Sequence, residues 1–470
     1  MNPIRTTYLA ALLVCLTIAL GAHAGEKPNV VLIISDDHSF TDYGFMGHDV
    51  IQTPHLDKLA SQSALFRRGY VPTALCRPAL MTLATGTYAH TNLVTGNDPT
   101  INETNAAYAK EKGKSAKALI IDNIDRFETL PQALGDAGYL SHQSGKWWEG
   151  NYRRGGFTHG MTRGYPEKSG RHGDDGLLIG RRPADAPRAS EGTDIPAAMK
   201  PIDDFIGLAK DQGKPFFLWY APFLPHTPHN PPARLFDKYK AEGRPTTVAR
   251  YYAMVEWFDE TIGDLMQTLD EQGVADNTLV VYVTDNGWIQ NPKGNGYAPR
   301  SKRSPNEMGT RTPIMYRWPG KIAPQDREEL ATSIDIYPTI LAAAGAEIPD
   351  DRPGLNLLPA LKSKQAIDRD TIFGESFAHD IADLYNPEES LLYRWVIRGD
   401  TKLLLTYDGE PGRMKYPPKD AAPQLYDLAK DPFEQHNLAE ERPADVAELT
   451  ALLNNWYQPE QATHSGNDKP

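Results

Sequence analysis

The sequence predicts an α/β protein, with a mostly parallel sheet flanked by helices and a small antiparallel α+β lobe near its C-terminal end. Continuous apolar runs rich in β-branched and aromatic residues recur along the chain, and such runs are typical of strands buried on both faces. Segments with helical spacing separate the runs, which indicates parallel strands joined by helices. The 470 residues are enough for a large core and a smaller lobe.

The predicted elements begin at residue 29, where the run NVVLIIS starts. Pro at a first helical position and Gly just past a helix end mark several of the helix boundaries. The predicted strands are 29–35, 140–145, 215–221 and 278–284. The predicted helices are 53–65, 78–85, 130–139 and 246–272.

Composition divides the rest of the chain. Residues 25–365 are the predicted catalytic domain and 366–470 the small lobe, in which 391–410 alternates like a hairpin and 445–457 is an amphipathic helix. Residues 151–200 are rich in Gly, Arg, Asp and Pro without a clear period. We interpret them as long loops beside a functional site.

The first 24 residues are predicted to be a secretory signal. Arg5 supplies the positive charge, YLAALLVCLTIAL the short apolar core, and 22–24 a small-residue cleavage site. The protein is therefore expected in the periplasm or outside the cell. Removal of the signal takes Cys15 with it, so Cys76 is left without a disulfide partner. No later run approaches the roughly 18 apolar residues that a membrane helix needs, so no membrane span is expected.

The charge balance limits the class of partner. The formal net charge is -12, which argues against nucleic acid as a ligand. Binding of an anionic substrate therefore requires a local arrangement, built by a metal ion or by a few cationic side chains.

Two predicted strands end in acidic and amide residues. Asp36 and Asp37 follow the first strand, and Asp285 and Asn286 follow the strand 278–284. Ligands of open α/β sheets bind beyond the carboxyl ends of the strands. Oxygen ligands of this kind suit Ca²⁺ or Mg²⁺, although Asp and Asn are also common turn residues.

Cys76 lies just before a predicted helix that begins at Pro78 and ends before Gly86. A thiol at a helix N-terminus is close to free N–H groups, which stabilise the thiolate and lower its pKa. The alternative interpretation is that Cys76 is a small buried hydrophobic residue, as many free cysteines are.

Several motifs together resemble the sulfatases of the alkaline phosphatase superfamily. The resemblance covers nearly the whole chain after the signal, and it implies an alkaline phosphatase-like fold. The motifs are PNVVLIISDD, CRPALMTLATG, GKWW, PFLPHTPH, TDNG, KRSPNEMGTRTP and QLYDLAKDPFEQHNLA.

The resemblance implies a metal ion and a modified cysteine. Asp36, Asp37, Asp285 and Asn286 match the positions that bind one divalent cation, normally Ca²⁺, with Mg²⁺ as the alternative. Cys76 matches the cysteine that a maturation enzyme oxidises to formylglycine (3-oxoalanine), whose hydrate attacks the sulfate ester.

Three further side chains are implied to act on the substrate. Lys146 and Lys302 match the family's lysines, and His226 matches the histidine that protonates the leaving oxygen. These roles agree with the chemistry, because a sulfate ester needs fixed cations around its oxygens and a proton for its leaving group. Glu307 and Arg311 are expected to brace the loop that carries Lys302.

Two positions depart from the family's motifs. Leu80 replaces an arginine that the maturation enzyme reads and that steadies the formylglycine hydrate, and Trp148 replaces a histidine thought to act as a base. Arg77 is the predicted source of some of the missing charge and a candidate for binding substrate, and an exposed surface residue is the alternative. The alternative bases are His142 and His172.

The segment after Lys146 carries further candidates for binding a sulfated glycan. Trp148, together with Trp147, is a candidate platform for stacking a sugar ring, and plain packing is the alternative. Arg153 and Arg154 suit a multiply charged glycan, or are simply solvated.

The leading hypothesis is an exported sulfuric ester hydrolase that acts on a sulfated carbohydrate or an aryl sulfate. A phosphate or phosphonate ester hydrolase on the same scaffold is the second hypothesis, although no second set of metal ligands is visible in the sequence. A sulfate-ester binding protein without turnover is the third, and Leu80 and Trp148 are its evidence.

Overall fold

The computed structural model describes residues 27–166, 199–241, 243–407 and 422–459. The predicted signal and part of the predicted loop region 151–200 lie outside these residues. The strands are β1 (Asn29–Ser35), β2 (Ala64–Tyr70), β3 (Asp98–Pro99), β4 (Leu140–Gly145), β5 (His159–Gly160), β6 (Phe216–Ala221), β7 (Thr278–Thr284), β8 (Arg311–Arg317), β9 (Gln325–Arg327), β10 (Ala331–Thr332), β11 (Thr371–Phe377), β12 (Asp380–Ile381), β13 (Leu391–Arg398), β14 (Thr401–Thr406) and β15 (Gln424–Asp427).

The helices alternate with the strands through most of the chain. They are α1 (Pro54–Ser61), α2 (Cys76–Thr85), α3 (Ala89–Asn92), α4 (Glu103–Lys112), α5 (Ala116–Asp122), α6 (Leu130–Asp136), α7 (Lys200–Asp211), α8 (Ala233–Lys240), α9 (Thr246–Glu271), α10 (Glu307–Thr310), α11 (Ile336–Ala344), α12 (Leu358–Ser363) and α13 (Pro443–Trp456). Within the described residues, no helix combines the length and the apolar character needed to cross a membrane.

The large sheet has the strand order β10-β2-β8-β7-β1-β6-β4-β5, with β9 also paired to β2. All its pairings are parallel except those of β8, which runs antiparallel to β2 and β7. The predicted mostly parallel α/β sheet is confirmed.

Both faces of β1 are buried, as its continuous apolar run predicts. Leu32 and Ile34 belong to one core, with residues of α2, α6 and α11, whereas Val31 and Ile33 belong to the other, with residues of α1, α7 and α9. The helices therefore cover the sheet on both sides.

The predicted helix over 53–65 is too long. Helix α1 ends at Ser61, and Ala64 already pairs with Tyr316 of β8 as the first residue of β2. Pairing with the sheet outweighs the helical spacing here, because it completes the hydrogen bonds of a buried strand.

The small antiparallel α+β lobe near the C-terminal end is confirmed. Strands β11, β13, β14 and β15 form an antiparallel sheet in that order. One face packs on α13 through residues such as Leu403 and Leu453, and on the other face Trp395 packs with Tyr70 of β2. The predicted domain boundary near residue 366 falls between α12 and β11.

Candidate active site

The carboxylates meet because β1 and β7 end at the same level. The parallel register pairs Ser35 with Thr284, so Asp36 and Asp285 leave the sheet side by side. Asp37 has a left-handed backbone (φ 63°), and its N–H donates to Asp285 Oδ1 over 3.0 Å. The Asn286 side-chain amide donates to Asp37 Oδ1 over 2.7 Å. The structure thus brings the four predicted metal ligands together.

Cys76 is the first residue of α2, which ends at Gly86 with φ 68°. The side chain is buried, and its Sγ lies 4.0 Å from Asp36 Oδ1. Burial raises the pKa of the Cys76 thiol to about 12, although Lys146 and Lys302 act in the opposite direction. The expectation that the helix N-terminus lowers this pKa is therefore wrong, because desolvation of the thiolate outweighs the nearby positive charges.

Lys146 and Lys302 approach the carboxylates from different loops. Lys146 follows β4, and its Nζ donates to Asp36 Oδ1 over 2.6 Å and to Asp285 Oδ2 over 3.2 Å. Lys302 Nζ lies 2.6 Å from Asp37 Oδ1 and donates to Cys76 Sγ over 3.1 Å. Both ammonium groups are almost completely buried.

The pKa values of these groups follow from burial and mutual attraction. Burial alone lowers the pKa of Lys146 and of Lys302, but the surrounding carboxylates hold both values well above that of an ordinary lysine. Burial and the charge of Asp36 raise the pKa of Asp285 to about 7. Burial also raises the pKa of Asp36, but Lys146, His226 and Lys302 together hold it below its ordinary value.

Two close backbone approaches shape this site. A side chain at Gly145 would overlap the Ala221 carbonyl, and the next residue, Lys146, donates its N–H to that carbonyl over 2.7 Å. A side chain at Gly287 would overlap the Met308 carbonyl. Glycine at these two positions lets the Lys146 loop and the Asp285-Asn286 turn pack against their neighbours.

His226 follows β6 and faces the same carboxylates. Its Nδ1 lies 2.5 Å from the Thr227 carbonyl, which can only accept, so Nδ1 carries a proton. Its Nε2 lies 3.4 Å from Asp37 Oδ2. Burial lowers the pKa of His226, although Asp36 and Asp37 act to raise it. A neutral His226 therefore points a lone pair at a carboxylate, an arrangement that a proton or a metal ion between them would stabilise.

The carboxylate and amide oxygens of this site suit a hard divalent cation, whereas the Cys76 sulfur and the His226 nitrogen beside them do not. Asp36, Asp37, Cys76 and His226 each offer one ligand atom, and these atoms lie within 4.8 Å of one another. Asp36 Oδ2 and Asn286 Oδ1 are buried without a hydrogen-bond partner. Buried oxygens are rarely left unsatisfied, so these two atoms are consistent with ligands of a cation.

Arg77 does not face this cluster. Its side chain is 0% exposed and forms two parallel hydrogen bonds of 2.7 Å with the Glu149 carboxylate. Its Nη1 also donates to the Asn97 carbonyl over 3.1 Å. The Arg77 side chain is directed at Glu149 and Asn97, not at the cluster around Cys76, so this geometry does not support the expectation that Arg77 contacts substrate. Glu149 was not a sequence candidate, since a pairing between a helix and a distant loop leaves no signal in local spacing.

Leu80 and Trp147 belong to the hydrophobic core. Leu80 is 3% exposed, and Trp147 is 1% exposed and packs edge-on against Phe157 and Trp219. Trp147 therefore cannot stack on a sugar, and the alternative of plain packing applies to it. Trp148 is partly buried and packs against the same core.

The other candidates near Lys146 lie outside the cluster. His142 is buried on β4, where its Nδ1 is 2.7 Å from Ser144 Oγ, and burial lowers its pKa to about 3. His172 lies outside the described residues. Arg154 pairs with Asp122, and Arg153 stacks over the Tyr152 ring.

Tyr251 is a site residue that the sequence did not point to. It lies on α9, and its hydroxyl oxygen is 2.8 Å from Asp42 Oδ2 and 3.3 Å from the Asp37 carbonyl, so its single proton is shared between the two acceptors. It therefore supports the strained backbone at Asp37 from the helix side. A tyrosine in an amphipathic helix is usually a packing residue, so its position in the sequence carried no such signal.

Two family models match the chain. The model of the sulfatases matches residues 28–346, and the model described as "N-sulphoglucosamine sulphohydrolase, C-terminal" matches residues 299–459. The second match covers the antiparallel lobe and the end of the large domain.

Individual relatives cover most of the chain. Arylsulfatase A of Bos taurus is 29% identical over 90% of this chain and 85% of its own length. The N-acetylgalactosamine-6-O-sulfatase of Bacteroides thetaiotaomicron is 25% identical over 91% of this chain and 93% of its own. A phosphonate monoester hydrolase of Agrobacterium radiobacter shares the fold, with a TM-score of 0.65 and 21% identity over 92% of this chain and 96% of its own.

Proposed function

Because this chain belongs to the sulfatase family and is a sulfuric ester hydrolase, we propose that it hydrolyses sulfate esters of a sulfated carbohydrate by a metal-assisted, formylglycine-type mechanism. One observation carries the proposal. The two ammonium groups of Lys146 and Lys302, the Cys76 sulfur and the Asp36 and Asp37 carboxylates form one buried cluster. A compact anion such as sulfate requires fixed positive charges of this kind.

Asp36, Asp37, Asp285 and Asn286 would hold the metal ion. Oxygen ligands favour Ca²⁺, with Mg²⁺ as the alternative, and the buried unpaired oxygens of Asp36 and Asn286 support this assignment. A bound divalent cation supplies Lewis acidity and neutralises charge on sulfate oxygens.

The buried thiol of Cys76 is poorly suited to nucleophilic attack. Its raised pKa of about 12 leaves little thiolate at neutral pH. The proposed nucleophile is instead the formylglycine that a maturation enzyme, a transient partner of the chain, would form by oxidising Cys76. The modified residue would supply a hydroxyl oxygen as the nucleophile at the N-terminus of α2.

Lys146, Lys302 and His226 are the proposed catalytic side chains. The two ammonium groups would lie beside the sulfate oxygens and stabilise the charge that develops on them. The Thr227 carbonyl keeps Nδ1 protonated and the ring oriented. His226 would therefore donate to the leaving alkoxide as an imidazolium, with its second proton on Nε2, and the charges of Asp36 and Asp37 favour this form against the effect of burial. Trp148, which lies two residues after Lys146 and is partly buried, is a candidate contact for the sugar.

The names of the relatives support a sulfated glycan as substrate, because one of them is an N-acetylgalactosamine-6-O-sulfatase. Residues 1–24 support export to the periplasm or the medium. A sulfatase in that location would meet extracellular sulfated polysaccharides or their fragments.

Two alternatives have specific support. The phosphonate monoester hydrolase with the same fold shows that this scaffold also carries out hydrolysis at phosphorus. The replacement of the family's arginine by Leu80 and of its histidine by Trp148 favours a sulfate-ester binding protein with impaired turnover.

A paired assay separates these functions. The purified protein, produced together with a formylglycine-generating enzyme, is given an aryl sulfate, a sulfated oligosaccharide, a phosphate monoester and a phosphonate monoester, with Ca²⁺ and after chelation. We expect the sulfate esters to be hydrolysed fastest, and activity to be lost on chelation. Faster hydrolysis of the phosphorus esters would favour the first alternative, and tight sulfate-ester binding without sulfate release would favour the second.

A further inference from the structure

Lys402 is a fully buried lysine in the antiparallel lobe. It lies on β14 within the run TKLLLT, and its side chain is 0% exposed. Its Nζ lies 2.9 Å from Glu307 Oε1 and 3.0 Å from Glu434 Oε1. Both carboxylates are also buried, with exposures of 0% and 1%. Burying three charges costs free energy that well-packed apolar side chains would avoid, so this cluster calls for a role other than stability.

This Lys402 cluster, which consists of Lys402, Glu307 and Glu434, joins the lobe to residues 300–307, the segment that carries Lys302. Glu434 follows β15 in the lobe, and its Oε2 accepts from the Asn306 side-chain amide over 2.7 Å and from the Glu307 N–H over 3.0 Å. The Tyr70 hydroxyl donates to Glu307 Oε2 over 3.0 Å. One carboxylate oxygen of Glu307 thus contacts Lys402 of the lobe, and the other accepts a hydrogen bond from Tyr70 of β2.

The other end of the same segment reaches the active site. Lys302 Nζ donates to Asp37 Oδ2 over 2.8 Å and to Cys76 Sγ over 3.1 Å, and the Arg303 N–H donates to the Ala74 carbonyl over 2.8 Å. Arg300, at the start of the segment, donates to the Glu434 carbonyl. The segment therefore has one fixed point at the nucleophile and another at the Lys402 cluster.

We propose that Lys402 is a positioning residue for Lys302, and that the antiparallel lobe is thereby a working part of the active site. This inference rests on the proposed role of Lys302 in binding the sulfate group. Arg311 lies 3.7 Å from Glu307 Oε2 and Arg300 lies 3.4 Å from Glu434 Oε2, both at longer range than Lys402. Lys402 bridges the two carboxylates and offsets one of their two negative charges. It thereby keeps the segment in one arrangement and holds the Lys302 ammonium beside Cys76. Without it, two buried carboxylates would repel each other and the segment would shift.

A double-mutant cycle tests this inference. Lys402→Met should lower kcat/KM by roughly 30-fold in the wild-type background, but by less than about 3-fold in a Lys302→Met background, because Lys402 acts on catalysis only by positioning Lys302. A merely structural role predicts the same loss in both backgrounds. Lys402→Arg should recover part of the activity, since it restores the charge.

Two further variants keep the test decisive. Glu434→Gln removes one charge of the cluster at nearly constant size, and it takes the place of Lys402→Met in the cycle if that variant does not fold. Asp400→Asn is the matched control, because it breaks an exposed contact of 3.0 Å with Arg68 between the same hairpin and β2. This control should leave kcat/KM within about 2-fold of the wild type.

The cycle is measured on whichever ester the wild type hydrolyses, so failure of the sulfatase proposal appears separately, as a wild type that does not release sulfate. If the wild type binds sulfate esters without turnover, the affinity for an aryl sulfate replaces kcat/KM in the same cycle. Equal losses in both backgrounds, or a folded Lys402→Met variant with unchanged activity and affinity, would overturn the inference.

Discussion

The two sides of Cys76 use buried charge in different ways. On the side of β1 and β7, the ammonium groups of Lys146 and Lys302 converge on carboxylates and leave polar atoms directed toward a ligand. On the α2 side, Arg77 is also buried and charged, but Glu149 neutralises it within the protein. All three cations are buried and paired, so the difference lies in what they contact. The lysines contact Asp36, Asp37 and the Cys76 sulfur, whereas Arg77 contacts Glu149, which lies outside that cluster.

The Arg77–Glu149 pair should therefore contribute to stability. We expect Arg77→Met and Glu149→Gln each to lower the free energy of unfolding by about 3–5 kcal/mol, because each leaves an unpaired buried charge. The double variant should lose less than the sum of the two, since it removes both charges. Denaturant unfolding of the three variants measures this coupling. Strictly additive losses would show that the pair is not a unit.

The lysines on the opposite side should act on turnover. Lys146→Met and Lys302→Met are each expected to lower kcat by about 100- to 1000-fold, as the loss of one charge-stabilising donor does in other enzymes. Lys238→Met is a suitable control, because this lysine pairs with Glu256 on the surface. Steady-state kinetics on an aryl sulfate is the measurement. If Lys146→Met or Lys302→Met kept the wild-type kcat, that lysine would not act in turnover, and its side of Cys76 would not differ from the Arg77 side in this respect.

The substitution Leu80→Arg would restore the arginine that the sulfatase motif has at this position. Since Leu80 is 3% exposed within the core, Leu80→Arg should bury an unpaired charge and lower the free energy of unfolding by at least about 2 kcal/mol, without raising kcat/KM. Leu80→Met should cost less than about 1.5 kcal/mol, since it keeps a hydrophobic side chain of similar volume. A stable Leu80→Arg variant with higher turnover would show that this position can still serve the nucleophile.

Substitution of His142 should have the smallest effect, and it should change only the free energy of unfolding. Its pKa of about 3 in the folded protein is below the ordinary value of 6.5. The unfolded chain therefore binds more protons between these values, so the stability that neutral His142 contributes is complete above about pH 6.5 and is lost as the pH falls.

His142→Gln should make the decline of unfolding free energy below pH 6 shallower, by up to about 1.4 kcal/mol per pH unit. Denaturant unfolding at pH 7, 6 and 5, compared with the wild type, measures the difference. Identical slopes would mean that His142 titrates normally in the folded protein. Turnover at neutral pH should not change, because His142 hydrogen-bonds Ser144 away from the cluster.

Much of the fold was predictable because its central strands are continuous apolar runs. The predicted strands 29–35, 140–145 and 278–284 match the structure, and 215–221 starts one residue early. Strands β2 and β8 were missed, since each mixes apolar with charged residues and owes its conformation to its neighbours. The sequence carries no local signal for such pairing.

The site divides in the same way. The carboxylates could be located from strand ends, and the lysines and His226 only from the resemblance to sulfatase motifs. The structure brings them together at Cys76. Glu149 and Lys402 could not be located from the sequence, because each forms an ion pair with a residue far away in the chain. The pairing of Arg77 was not predicted for that reason. Its proximity to Cys76 in sequence said nothing about the direction of its side chain.

Conversion of Cys76 is tested most directly by the mass of the peptide that contains it, taken from protein made in its native host and compared with the specific activity of the same preparation. We expect a fraction of this peptide to have lost sulfur and gained oxygen, as conversion to formylglycine requires, and sulfate release to rise in proportion to that fraction. Sulfate ester hydrolysis by protein in which every copy of Cys76 remains an unmodified thiol would contradict this expectation.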